Sequence, residues 1–275
     1  MTIRVAGATT LERILLVARR DIATEVSYQY SFVMRYVSIL FSIATFYFVS
    51  RLVGDSPELG RYSGEYFEFA LVGLVMSGIT AASLTTFNQS VGMEMSSGTL
   101  EILLATARSY TPLILGSLLV PIVLRLIEAG LYVGLGVGVL GAGFSASGIL
   151  LSLPLIALSI AVFSGLGLLA SAFIVLTKRG DPITGLVVQA TNLLAGTLFP
   201  ITLLPPVLQV VSKMIPTFYA LEGVRAVLLD GAGLADVADE MAILAGFTIV
   251  IVPIALVAMS RAIRVAKRTG ILISS

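Results

Sequence analysis

The residues of this chain that could do chemistry are few, and two of them sit where charge is expensive. Arg125 and Glu128 stand i, i+3 within an otherwise apolar run, a spacing that brings two side chains together on one face of a helix. If that helix begins near Thr111, Arg125 lies roughly 20 Å in, so neither residue can face lipid alone. Two roles are open to them: a neutralising pair that pins the Pro121-kinked helix to a neighbour, or a polar patch along a substrate path. The first is favoured, because a mutually paired couple needs no ligand to explain it. Glu94 and Glu101 form a second candidate set with Ser97, Gly98, Thr99, Leu100, Leu103 and Leu104. The leucines at i, i+3, i+4 give one oily helix face and leave Glu101 on the polar side, so segment 94–106 reads as a docking helix. Its two carboxylates are contact residues rather than an acid–base pair.

Chemistry by the chain itself is excluded on residue type. With no His and no Cys, zinc sites, thiol nucleophiles and Ser-His-Asp catalysis are impossible, so no catalytic residue and no metal ligand is assigned. No Gly-Lys dipeptide occurs, so a Walker-type phosphate loop is missing and any ATP hydrolysis must come from another polypeptide. Gly136 to Gly141 matches a dinucleotide fingerprint by letter, but it ends an apolar run and lacks the βαβ context. Gly130, Gly134 and Gly138 read better as a smooth face for close helix packing. Asn88-Gln89-Ser90 is a glycosylation sequon by letter only.

The elements that position these residues are set by the solvent. At 57% hydrophobic residues, 12% charged and a mean hydropathy of +1.02, the 275 residues make an all-α integral membrane protein, one domain over 1–275. The net charge of +1 gives no reason to expect a nucleic-acid partner. Six apolar stretches qualify or nearly qualify as spans, about 32–49, 67–87, 113–140, 149–176, 183–199 and 241–260. The first begins too late and runs too long for a cleaved signal, so it is expected to stay as an anchor. Placing both termini in the cytoplasm leaves four basic residues outside (Arg51, Arg61, Lys213 and Arg225), one within a span (Arg125), and the other twelve of the 17 inside. That parity puts 94–106 on the inner side.

Two further segments are amphipathic or broken. Thr9 and Glu12 have capping-box spacing, and a helix over 9–29 would align Leu11, Leu15, Ala18, Ile22 and Val26 along one stripe, to lie on the inner leaflet. Segment 200–230 has Pro200, Pro205, Pro206 and Pro216, too many for a straight span, yet it is too oily for a solvated loop. Two short helices, 206–214 and 217–229, dipping into the outer leaflet as a re-entrant hairpin resolve the conflict. Polar residues of the second and fifth spans, Thr80, Ser83, Thr86, Gln189 and Asn192, must meet each other, backbone or water.

Taken with Phe199-Pro200-Ile201, Leu204-Pro205 and the run from Ile215-Pro216-Thr217-Phe218-Tyr219 through Glu222 to Arg225, the segment Glu94 to Leu104 resembles the type 2 ATP-binding cassette exporter permeases. The resemblance covers the whole chain: entry helix, six spans, coupling helix over 94–106, and outer hairpin before the last span. It implies a half-transporter in the inner (cytoplasmic) membrane. Two permeases, a homodimer first and a heterodimer with a second permease as the alternative, would sit above two separate ATPase subunits, which bind the ATP and Mg that this chain does not. It further implies that Pro200, Pro205, Pro216, Tyr219, Glu222 and Arg225 belong to the hairpin, and that the first, second and fifth spans, with Gln189 and Asn192, border the cavity between copies. The expected cargo is hydrophobic or amphiphilic, a drug, antibiotic or lipid. A polysaccharide or glycolipid cargo is the alternative, with a secondary carrier or a non-transporting assembly factor behind it.

Overall fold

The computed structural model describes residues 19, 22, 29–53, 66–96, 111–177 and 183–268. Among them the regular elements are all helical: α1 (Gln29–Val53), α2 (Tyr66–Ser96), α3 (Thr111–Gly138), α4 (Ala146–Thr177), α5 (Ile183–Leu194), α6 (Pro206–Ser212), α7 (Pro216–Leu229) and α8 (Ala238–Arg268), with a single 3-10 turn at Ile201–Leu203. Four of them, α2, α3, α4 and α8, are long and apolar enough to cross a membrane, by length and composition. The apolar stretch of α1 is shorter, Tyr36–Leu52.

The fifth expected span, 183–199, is cut short. Helix α5 ends at Leu194, short of the expected Phe199. The cause is local: Gly196 takes a left-handed φ of 69°, and the Thr197 N–H turns back to the Asn192 carbonyl at 3.2 Å. The chain then folds through the 3-10 turn into α6 and α7, each opened by a proline whose missing N–H costs nothing at a helix start.

Helix α2 is the axis of the bundle. Of its apolar window 67% is buried, against 11% for α8, and it packs on α1, α3, α4, α5 and α7. Its first half joins Ile39 and Ile43 of α1, Leu155 of α4, and Leu221, Val224 and Val227 of α7 in one core. Its second half contributes Phe87 to another core with Leu168, Ala172 and Val175 of α4 and Met259, Ala262 and Ile263 of α8. The second core is built from the C-terminal halves of three helices, so α2, α4 and α8 run in one direction. Helices α2 and α4 touch backbone to backbone, because a Cβ on Gly167 would strike the Leu84 carbonyl.

The glycines read as a smooth face, Gly130, Gly134 and Gly138, instead border open space within the chain; Gly136, between them, is the one pressed against Leu71. The period of four was legible, but which face met α2 was decided by how α3 rotates in the bundle. Segments 9–18 and 97–106, with Ser97, Gly98, Thr99, Leu100, Glu101, Leu103 and Leu104, lie outside the described residues. Glu94 closes the last turn of α2.

Candidate functional site

Side chains with chemical capacity gather at three places, all touching α2. The first is the Arg125–Glu128 pair, near the midpoint of the 28-residue α3. Arg125 Nη1 donates to Glu128 Oε2 at 2.7 Å; the carboxylate side chain is 7% exposed and the guanidinium 39%. The pair lies beside a cavity of about 260 Å³ walled by α1, α2 and α3, with Ser38, Ser77, Gly78 and Tyr132 among its lining. Sequence spacing found the pair but not the cavity, whose walls come from three helices. Gln189 and Asn192 do not line it: Gln189 is exposed on α5 and Asn192 half-buried.

The second place is Arg225, on α7 and 2% exposed. Its Nη1 donates to the Gly196 carbonyl at 3.0 Å, and its Nη2 donates to the Thr197 carbonyl at 2.8 Å and more weakly to that of Phe69 at 3.4 Å. The guanidinium lies over the Phe69 ring, 3.5 Å from the centroid. One side chain thus ties α7, the turn after α5 and the start of α2. Gly73 makes the fit possible, since a Cβ there would run into the Thr197 carbonyl. Around it, Ser212 Oγ of α6 donates to the Leu194 carbonyl at 2.6 Å, and Tyr219 Oη donates to the Lys213 carbonyl at 2.8 Å. Pro200 and Pro216 are buried, Glu222 is half-buried and Pro205 exposed.

The third place is polar and uncharged. Asn88, buried in the second half of α2, donates through Nδ2 to Thr184 Oγ1 of α5 at 2.8 Å and accepts at Oδ1 from Ser171 Oγ of α4 at 2.6 Å. It staples three helices, and its burial leaves the sequon nothing to present. Sequence reasoning missed this role because the two partners are remote in the chain. Thr80, Ser83 and Thr86 return their hydroxyls to carbonyls one turn back in α2, at 2.7–2.9 Å. At the other end of α2, Glu68 accepts the Gly143 N–H and fixes the turn between α3 and α4. Among the described residues no three His, Cys, Asp or Glu side chains stand close enough to hold a metal ion.

A helical bundle with four helices long and apolar enough to cross a membrane, polar clusters between them and a proline-broken helix pair before the last long helix has the build of a polytopic membrane protein. The profile of the ABC-2 type transporter family matches residues 12–229, and the chain belongs to that family. It is therefore an integral membrane protein, the transmembrane component of a transporter of the kind that works with ABC ATPase subunits. Among curated proteins it is similar to Nodulation protein J of Rhizobium leguminosarum bv. trifolii, 27% identical over 202 residues, which cover 72% of this chain and 75% of that protein. Nodulation protein J of Rhizobium leguminosarum bv. viciae is 25% identical over 72% of this chain and 76% of its own length. The protein of the same name from Rhizobium meliloti is 26% identical over 64% and 67%.

Proposed function

We propose that this chain is the permease half of an ATP-driven exporter that moves a hydrophobic or amphiphilic cargo, a drug, antibiotic or lipid, out across the cytoplasmic membrane. The observation that carries the reading is the extent of the family match, which takes in α1 to α5, segment 94–106 and the α6–α7 pair together, up to residue 229. Two copies pair above two ATPase subunits, with both termini in the cytoplasm. The parallel run of α2, α4 and α8 fits a chain that returns across the membrane between each of them and the next. Segment 94–106 follows α2 directly, so a push on it is delivered to the helix that touches five others. Helices α6 and α7 dip into the outer leaflet, held by Arg225 and Ser212 where a lipid-facing backbone would go unsatisfied. Binding and hydrolysis of ATP in the partner then shift the permease between inward-open and outward-open populations.

The test is a Glu101→Arg variant expressed with its ATPase. The variant is expected to fold and insert normally while losing either the ATPase on purification or the coupling of hydrolysis to export. Unchanged ATP-driven export would remove Glu101 from that role.

A further inference from the structure

The cavity beside Arg125 has polar walls that the folded chain leaves unused. Arg125 gives one N–H to Glu128, and among the described residues its other four donors meet no hydrogen-bond partner. Among the described residues the Ser38 and Ser77 hydroxyls make no hydrogen bond either, whereas Thr80, Ser83, Thr85 and Thr86 on the same helix as Ser77 all bond back to α2 carbonyls. Hydrocarbon offers these groups nothing, so whatever fills the space must bring acceptors.

Charge and size narrow the occupant. Among the described residues of the lining the guanidinium and the carboxylate are the two charged groups, opposite in sign, so neither an anion nor a cation is favoured by them. A cavity of ~150 Å³ admits benzene. The larger space here, about 260 Å³, takes a six-membered ring together with its substituents. Gly78 leaves one wall bare, since a Cβ there would meet nothing within 4 Å. Ile39, Leu74 and Ile79 supply an apolar floor for a ring face.

We propose that this cavity binds an uncharged, oxygen-rich head group the size of one six-membered ring, with Arg125 and the two serine hydroxyls donating to its oxygens. As the place where a cargo's head group sits, the site rests on the exporter reading; as a binding site it is tested without transport.

The chain has no cysteine, so Ser77→Cys and Ser38→Cys each create a single reactive thiol on opposite walls. In the full chain in lipid nanodiscs, the labelling rate by a small water-soluble methanethiosulfonate reagent is measured with octyl glucoside, octyl sulfate or octyltrimethylammonium present. Octyl glucoside is expected to slow labelling of both thiols about fivefold at a few times its dissociation constant, and the charged probes hardly at all. In the Arg125→Met/Glu128→Leu background, which keeps the charge balanced, that protection is lost. Absence of labelling at both cysteines, equal slowing by all three amphiphiles, or undiminished protection in the double variant would each overturn the site. Loss of ATP-driven export with protection intact would instead count against the exporter reading alone.

Discussion

Arg225 and Arg125 are two arginines inside one bundle, and their surroundings are opposite. Arg225 is enclosed, both of its Nη groups donating to backbone carbonyls and its face lying on the Phe69 ring. Arg125 is two-fifths exposed, answers to one carboxylate and looks into a cavity. A guanidinium taken out of water must be met by acceptors, and the two sites meet that demand differently. Backbone carbonyls give a fixed joint with no room for a substitute, whereas a side-chain pair can be exchanged as a unit and leaves donors for a guest. The first arrangement holds the short helices on α2; the second keeps a polar opening in the wall between α1 and α3.

The strongest way to break the contrast is Arg225→Met. It strands the Gly196 and Thr197 carbonyls in a dry interior, at ~1.5–3 kcal/mol for each charge-assisted hydrogen bond lost. Folded yield by fluorescence-detected size exclusion should fall severely, with Arg225→Lys recovering only part, because a point charge cannot fork to two carbonyls. A yield equal to wild type would show that the joint is ornamental. Next comes Gly73→Val, whose branched side chain collides with the Thr197 carbonyl and should cost on the order of 1–3 kcal/mol, read as a lower melting temperature in detergent.

Glu128→Leu sharpens the other side. Arg125 is left uncompensated, but its exposure softens the loss to about 1–2 kcal/mol, less than for a fully buried pair. Adding Arg125→Met should restore most of the melting temperature, since an exchanged pair leaves no charge behind; failure of that rescue would place Arg125 in the fixed class with Arg225. The smallest effect is expected for Asn88→Ala, ~1 kcal/mol for interhelical hydrogen bonds among apolar helices. Hydrogen exchange should report it, as faster exchange at the start of α5 around Thr184; an unaltered profile there would remove the staple.

How much of this was legible in the sequence depends on what each feature is made of. The Arg125–Glu128 pair was readable because i, i+3 is a local spacing. Arg225 was counted with the outer loops, because its partners are carbonyls of Gly196 and Thr197, and a carbonyl carries no side-chain identity for a motif to show. The early end of α5 had a signal in Gly196, but glycines are common among apolar spans, and only the turn back to Asn192 made this one a stop. Gln189 and Asn192 were grouped with the pathway as polar residues in an apolar run, and the fold sets them apart from the Arg125 cavity.

Composition and hydropathy alone pointed to an all-helical membrane protein, because a bilayer tolerates few other uses of so much apolar sequence, and the sequence holds no Gly-Lys of a Walker-type phosphate loop. Which arginine became a joint and which kept free donors was decided only in three dimensions. That choice turns on the distance between helices far apart in the chain, which no local spacing encodes.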